Sequence, residues 1–434
     1  MITTAYIKIW DTLVGAVAWD EQQQMANFEY DASFIRNSWD LSPIKMPISA
    51  GAKIYNFPEL RSVRGSTYDT FKGLPGLLAD MLPDKYGNHL IDIWLAQQGR
   101  PVDSMNPVEK LCFIGSRGMG ALVIEPTQIK SSKKAYNLEL ETLVDISRKM
   151  LQKRETFNAN LNEDEEQAML DILRIGTSAG GARPKAVIAY NDETGEVRSG
   201  QANAPKGFEH WLIKLDGVSE AQFGSSLGYG RVEMAYYLMA RAAGIDMMQC
   251  TLLEENGRAH FMTKRYDRRG SSTRHHVQTW CATSHYDFND MSSYSYEQLF
   301  QTMRNLRLDY QEAEQMYRRM VFNVLSRNCD DHTKNFSFRM KKDEAWTLAP
   351  AYDICHAYDP KSIWVSQHAL SINGKRENQK IEDFLSIAKS MNIKNAKKIV
   401  TEISGVVQNW KHYADEVSVD KTKRDEISKT HIAI

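Results

Sequence analysis

The chain has 434 residues, with 54 Lys plus Arg against 55 Asp plus Glu and a formal net charge of -1. Hydrophobic residues make up 42% and charged residues 25%, which is ordinary for a globular protein and argues against wholesale disorder. The length indicates two or three domains of roughly 150 residues each. The balanced charge excludes a free-standing, strongly cationic DNA-binding protein, so any DNA contact needs a local basic patch or a partner.

Cysteine usage and hydropathy indicate a cytoplasmic protein. The five cysteines are widely spread and form no Cys-x-x-Cys pair, which supports neither a disulfide framework nor a thiolate zinc site. We find no uncharged apolar run near the roughly 18 residues that a membrane helix needs, so no membrane partner is expected. The N-terminus carries Lys8 and Asp11 inside its apolar stretch, which predicts strand, turn and strand rather than a signal peptide.

The first 165 residues divide into a module and a linker. Short alternating strands (AYIKIW, TLVGAVAW, ANFEY) precede a helical stretch around LPGLLADMLPDKYGNHLIDIWLAQQG, which predicts a small α+β module over residues 1–125. Residues 126–165 are polar, with Lys-rich and acid-rich runs, and indicate a helical linker.

A Gly-rich segment, GTSAGGARPK at residues 176–185, opens the next region. Gly176, Gly180 and Gly181 would let backbone N–H groups approach a phosphate, with Lys185 at the end of the loop. A flexible turn is equally compatible, and the pattern is not a Walker A loop. Two strands follow, AVIAY and HWLIKLDG, and the second carries Lys214.

Lys214 has apolar neighbours, so it needs an anionic partner unless it lies on an edge strand or snorkels to solvent. Glu233 on the next predicted helix could order this lysine, although a solvated glutamate fits equally well. Asn256-Gly257 then predicts a hairpin. Its second strand ends near Lys264 and Tyr266, where the backbone could meet an adenine edge.

The region from about residue 290 is mostly helical, with a long helix over 309–328 that Asp309 would cap. The segment DDHTKN at 330–335 follows it. Phosphoryl transfer needs a carboxylate to orient the attacking hydroxyl and oxygen ligands for Mg²⁺, and in protein kinases an Asp and an Asn five residues later supply them. Asp330 and Asn335 have this spacing, and a hairpin then leads to Asp353. An Asx-turn loop is the structural alternative.

Several pairs of like residues are expected at the surface of the protein. They are Arg268-Arg269, His275-His276 and Arg318-Arg319.

The set GTSAGGARPK, HWLIKLDG, TKRYDR, CDDHTKNFSF and PAYDI, in this order, resembles the HipA family of bacterial toxin kinases. The N-terminal strands and LLADMLPDKYG resemble the N-terminal subdomain of that family, and the resemblance covers nearly the whole chain, less securely after residue 380. It implies an α+β fold with a protein-kinase-like bilobal core, an N-terminal α+β subdomain and a mostly helical C-terminal lobe. The implied boundaries are 1–125, 126–165, 166–270 for the nucleotide-binding part and 271–434 for the helical lobe.

The resemblance implies a role for each matching residue. Asp330 would be the catalytic base, His332 a catalytic-loop residue near the phosphates, and Asn335 and Asp353 the Mg²⁺ ligands. The implied ATP-binding set is Gly176, Ser178, Gly180, Gly181, Lys185, Lys214, Lys264, Tyr266, Asn335 and Asp353.

Two departures leave alternatives open. The family commonly has Gly after the catalytic aspartate, whereas this chain has Asp331, so Asp331 is a second candidate for the base, although the five-residue spacing favours Asp330. Ser178 matches the autophosphorylated serine of the family, and the adjacent Thr177 is a second possible acceptor.

By this resemblance the chain would be an ATP- and Mg²⁺-dependent protein Ser/Thr kinase and the toxin of a toxin–antitoxin pair. Its substrate would be a protein of translation, by family precedent an aminoacyl-tRNA synthetase. A helix-turn-helix antitoxin dimer would bind it, and the complex would repress its own operator DNA. The alternatives are a non-catalytic co-repressor subunit with the same fold and a kinase of small molecules or lipids.

Overall fold

A computed structural model describes residues 2–62, 69–83, 85–102, 104–128, 144, 147, 184–200, 203–217, 228–270 and 272–434. The chain forms two compact units. The first comprises Met1–Leu227, Leu253–Val277 and Lys341–Asp343, and the second comprises Gly228–Leu252, Gln278–Met340 and Glu344–Ile434. The Gly-rich loop with Gly176, Ser178, Gly180 and Gly181 lies outside the described residues, as does most of the predicted linker.

An antiparallel sheet forms the N-terminal part of the first unit. Its strands lie in the order β4-β3-β2-β1-β5. They are β1 (Thr4–Ile9), β2 (Thr12–Asp20), β3 (Met25–Tyr30), β4 (Ile54–Tyr55) and β5 (Leu122–Glu125). Alternate side chains of β1 (Ala5, Ile7, Ile9) are buried, as the period of two along a strand requires. The predicted strand, turn and strand at the N-terminus is confirmed.

The long apolar stretch after residue 70 forms separate helices, α1 (Gly76–Ala79) and α2 (Lys85–Gln97), and α3 (Pro107–Ile114) follows. The stretch breaks between α1 and α2 at Pro83, since a proline disfavours helical backbone at the residue before it. The Asn106 side chain accepts a hydrogen bond from the Glu109 N–H and so caps α3.

A second five-stranded sheet has the strand order β7-β6-β8-β10-β9. Its strands are β6 (Lys185–Tyr190), β7 (Val197–Ser199), β8 (Glu209–Lys214), β9 (Cys250–Glu255) and β10 (Arg258–Lys264). The β9–β10 turn is Asn256-Gly257, with φ of 46° and 76°, so the predicted hairpin is confirmed. A short ribbon of β11 (Arg268–Arg269) and β12 (Thr273–Arg274) follows.

The second unit is mostly helical. Its helices are α4 (Tyr229–Ala242), α5 (Trp280–Ser284), α6 (Tyr296–Asn305), α7 (Tyr310–Leu325), α8 (Ile381–Met391), α9 (Ala396–Gln408), α10 (Trp410–Glu416) and α11 (Lys421–Ser428). Asp309 caps α7 through a reciprocal hydrogen-bonded pair with Glu312, which confirms the predicted helix start. Strands β13 (His276–Thr279), β14 (Ser337–Met340) and β15 (Trp346–Leu348) form a three-stranded sheet.

The expectation that the paired arginines and histidines lie at the surface is wrong for most of them. Arg268, His275, His276 and Arg319 are buried or nearly so, whereas Arg269 is exposed. Arg268 is stabilised by the Asp267 carboxylate and by backbone carbonyls about 150 positions earlier in the chain. Burial lowers the pKa of His276 to about 4, so its imidazole is neutral inside the protein.

All five cysteines are buried, and none of them forms a disulfide bond. Within the described ranges, no helix has both the length and the apolar character that crossing a bilayer would take.

Candidate active site

The segment DDHTKN forms a tight loop between α7 and β14. Asp330 is 46% exposed at its side chain, and residues 333–335 make one 3₁₀ turn. The Asn335 side-chain amide donates to the Asp330 carbonyl oxygen at 2.5 Å, and the Asn335 N–H donates to the His332 carbonyl at 2.9 Å. Because its amide nitrogen is used in this way, the Asn335 Oδ1 is left as the acceptor end of the side chain. The loop thus joins Asp330 and Asn335 directly.

The segment that carries Asp353 lies beside this loop. The Tyr352 hydroxyl donates to the Lys334 carbonyl at 2.7 Å, and the Cys329 N–H donates to the Ala357 carbonyl at 3.0 Å. Asp353 itself has a φ of 55°, in the left-handed region that a non-glycine residue adopts only when its surroundings hold it there. The structure therefore brings the predicted Mg²⁺ ligands Asn335 and Asp353 onto adjacent segments of one unit.

His332 lies on the same loop, largely covered, with its ring edge-on to Phe288 at a centroid distance of 5.3 Å. Its Nε2 is 3.7 Å from the Asp330 Oδ1, which is longer than a hydrogen bond. Its buried Nδ1 has no hydrogen-bond partner among the described residues. The His332 imidazole therefore lies close to Asp330, the predicted base, without a hydrogen bond to its carboxylate.

Asp331 differs sharply from its neighbour. Its side chain is 0% exposed, and its carboxylate accepts hydrogen bonds from the Tyr296 hydroxyl at 2.8 Å, the His368 Nδ1 at 3.0 Å and the Ala369 N–H at 2.8 Å. Burial alone would lower the pKa of His368, but Asp331 outweighs it and raises that pKa to about 10. The Asp331 carboxylate is therefore already used in hydrogen bonds inside the protein, whereas the Asp330 side chain is nearly half exposed.

The predicted phosphate-contacting lysines lie together in the first unit. Lys185 begins β6 and Lys214 ends β8, and the two are directly opposite each other in the antiparallel pairing. Lys185 is buried, and the Lys214 Nζ is 5.7 Å from the centre of the Phe261 ring. The pairing therefore brings two cationic residues together at the ends of β6 and β8.

The predicted adenine-binding segment follows β10 in the same unit. Lys264 ends this strand, and its ammonium group forms an ion pair with Glu209 at the start of β8. The Arg265 N–H donates to the His210 carbonyl at 2.9 Å, which ties the segment to β8 just before Tyr266.

A buried charge cluster directly after this segment was missed by the sequence reasoning. Asp267 is fully buried, forms ion pairs with Arg265 at 2.6 Å and Arg268 at 2.5 Å, and accepts the Gly120 N–H at 2.8 Å. Burial alone would raise the pKa of Asp267, but the two arginines hold it well below its ordinary value. The motif TKRYDR contained this signal, yet its partner near residue 120 could not be read from the sequence.

Comparison with known proteins identifies the family of the chain. A family model described as the HipA N-terminal domain matches residues 5–125, and one described as the HipA-like C-terminal domain matches residues 177–410, more than half of the chain. The chain belongs to the HipA family. None of the curated proteins matches the sequence.

Two solved structures are similar to the chain to different degrees. A chain of the Shewanella oneidensis MR-1 toxin–antitoxin complex of HipA, HipB and operator DNA has a TM-score of 0.64 at 15% identity, covering 98% of this chain and 94% of the other. The Helicobacter pylori proinflammatory kinase CtkA has a TM-score of 0.33 at 13% identity, covering 58% of this chain and 94% of the other. The predicted α+β fold class, with an N-terminal α+β part and a mostly helical C-terminal part, is confirmed.

Proposed function

We propose that this HipA-family protein is an ATP- and Mg²⁺-dependent protein Ser/Thr kinase in which Asp330 is the catalytic base. The observation that carries the proposal is the outward-facing Asp330 carboxylate on a loop that Asn335 closes through the Asp330 carbonyl. A general base must reach the proton that it removes, and a carboxylate exposed next to a divalent-ion site meets this condition. The full engagement of Asp331 argues for Asp330 as the base.

The donor set suits Mg²⁺. Asn335 offers an amide oxygen and Asp353 a carboxylate, and hard oxygen ligands are those that Mg²⁺ prefers. Such an ion would be shared with the nucleotide phosphates. When bound, Mg²⁺ would neutralise charge on those phosphates. Asp330 would accept the proton of the attacking hydroxyl.

The remaining roles are assigned by position. Lys185 and Lys214 would hold the ATP phosphates, because the two residues lie directly opposite each other in the β6–β8 pairing. The backbone around Lys264 and Tyr266 would meet the adenine edge. His332 would lie near the phosphates, and the Gly-rich loop of Gly176, Gly180 and Gly181 would cover them.

We further propose that the protein is the toxin of a toxin–antitoxin pair. The family membership supports this role, as does the likeness of its fold to a chain from a complex of HipA, HipB and operator DNA. Its partner would be a HipB-like helix-turn-helix antitoxin dimer, and together they would repress their operator. The net charge of -1 agrees with an antitoxin that supplies most of the DNA affinity. The cellular substrate would be a translation protein, by family precedent an aminoacyl-tRNA synthetase.

Ser178 would be the site of inactivating autophosphorylation, with Thr177 as the alternative acceptor. A phosphoserine carries nearly two negative charges at neutral pH, so it cannot share a cradle with ATP phosphates.

The test is phosphosite mapping by mass spectrometry. Wild type and Asp330→Asn are treated with phosphatase and then incubated with and without Mg·ATP. We expect phosphate on Ser178 only in the wild type with Mg·ATP. Phosphate in both proteins would remove Asp330 from the role of base. No phosphate and no ATP binding in either protein would favour the non-catalytic co-repressor.

A further inference from the structure

Two consecutive aspartates of the catalytic loop have opposite environments. Asp330 is 46% exposed at its side chain and Asp331 is 0% exposed. His332, the next residue, has extended backbone, and along extended backbone successive side chains lie on opposite sides of the chain. The position of the Asp330 carboxylate therefore depends on what holds Asp331.

Asp331 is held by groups that are distant in the sequence. Tyr296, on the first turn of α6, donates its hydroxyl to Oδ2, and His368 donates Nδ1–H to the same oxygen. The backbone N–H of Ala369 donates to Oδ1. These three hydrogen bonds satisfy a charge that would be very costly to bury unpaired.

The network continues into α7 and back to the loop. The Tyr296 oxygen accepts a hydrogen bond from the Asn323 amide at 3.0 Å, and Asn323 in turn accepts one from the Asn328 amide at 3.0 Å. Asn328 lies two positions before Asp330. The loop is therefore fixed at both sides of the proposed base by one continuous set of buried hydrogen bonds.

The segment that carries His368 is itself fixed. The Arg376 guanidinium donates to the carbonyls of His368 and Ala369, and also to that of Tyr294 at 3.0 Å. On its other side, the His368 Nε2 lies 3.7 Å from the Cys329 Sγ, next to Asp330 in sequence. His368 therefore contacts the loop at Cys329 and at Asp331, the residues on either side of Asp330.

From these contacts we infer that Tyr296, Asp331 and His368 are positioning residues for phosphoryl transfer. They hold the catalytic loop so that the Asp330 carboxylate faces the acceptor hydroxyl. This inference rests on the proposed kinase function. None of the three residues touches ATP in this scheme; they act through the loop, so their loss lowers the limiting rate and leaves nucleotide affinity nearly unchanged.

Two isosteric variants separate positioning from general stability. Tyr296→Phe removes one hydrogen bond to Asp331, and Tyr317→Phe removes one from an equally buried tyrosine of the same unit, whose hydroxyl donates to the Phe384 carbonyl at 3.1 Å. Phosphate incorporation by phosphatase-treated protein is followed against Mg·ATP concentration. We expect Tyr296→Phe to lower the limiting rate about tenfold, with less than about a twofold change in half-saturating ATP. Tyr317→Phe should match the wild type.

A second pair of variants tests the histidine. His368→Asn keeps an N–H that can donate to Asp331, whereas His368→Leu does not. We expect His368→Asn to retain clearly more activity than His368→Leu. Equal rates for Tyr296→Phe and Tyr317→Phe, or no recovery in His368→Asn, would overturn the inference.

Hydrogen exchange of the peptide spanning residues 329–335 supplies a readout that needs no activity. It should be faster in Tyr296→Phe than in Tyr317→Phe, because the loop loses its anchor. If the wild type transfers no phosphate while this difference is present, the kinase proposal fails and the anchoring of the loop stands. Equal exchange in both variants refutes the anchoring itself.

Discussion

Asp267→Asn removes the negative charge from the centre of the buried cluster in the first unit. In the wild type, the two carboxylate oxygens of Asp267 accept hydrogen bonds from Arg265 at 2.8 and 2.6 Å, from Arg268 at 2.5 Å and from the Gly120 N–H at 2.8 Å. An asparagine has the same shape but only one acceptor oxygen, so its amide would face a guanidinium donor. Two buried cations would then lack their counter-charge.

Removal of one partner from a buried ion pair costs about 3–5 kcal/mol. We expect the free energy of unfolding to fall by about 3 kcal/mol, the lower end of that range, because Arg268 also donates to the carbonyls of Gly118 and Gly120. Urea unfolding at neutral pH, followed by tryptophan fluorescence, measures this difference.

The control is Glu125→Gln, in the same unit. It breaks the ion pair between Lys8 and Glu125 at 2.7 Å, whose side chains are both substantially exposed. Such a pair contributes less than about 1 kcal/mol. If Asp267→Asn lost no more stability than Glu125→Gln, the assignment of Asp267 as the essential counter-charge of the cluster would be refuted.

The pH dependence has a definite sign. The folded pKa of Asp267 lies below its unfolded value, so its stabilisation is complete above about pH 4 and decreases as pH falls below that. The difference in the free energy of unfolding between wild type and Asp267→Asn should therefore become smaller only below about pH 4.

Three further predictions concern the second unit. Asp330→Asn and Asp353→Asn should each abolish phosphate incorporation, yet leave the melting temperature within a few degrees of the wild type, because Asp330 is nearly half exposed and Asp353 is only partly buried. The pKa of His368 is about 10, so the stabilisation from its charged form should be lost as pH rises from about 6.5 through that value. The free energies of unfolding of wild type and His368→Leu, measured in urea, should therefore converge at alkaline pH. Removal of residues 430–434 deletes the Thr430 carbonyl that accepts a hydrogen bond from Arg327 at 3.0 Å, and two further hydrogen bonds, from His431 to Tyr236 and from Ile432 to Leu325. It should lower the free energy of unfolding in urea by about 3 kcal/mol.

Each of these has a contrary result. Near-normal phosphate incorporation in Asp353→Asn would remove it from the metal site. A stability gap for His368→Leu that stays constant from about pH 6 to about pH 10 would mean that the Asp331–His368 pair is not charged in the fold. A truncated protein as stable as the full chain would show that the C-terminal contacts contribute nothing.

The sequence by itself determined the local structure of this protein. Asn256-Gly257 made the hairpin, Asp309 started α7, and the five-residue spacing put Asp330 and Asn335 on one loop. These features depend on φ preferences, capping and hydrogen bonds between residues close in the chain, which a linear pattern records.

Only the tertiary structure decided which polar groups are buried and with whom. Asp330 and Asp331 are identical in type and adjacent, yet one faces outward while His368, 37 positions later, neutralises the other. Asp267 likewise meets the Gly120 N–H across 147 positions. A buried charge is stable only with its partners in place, and those partners come together through packing of distant segments that no local pattern specifies.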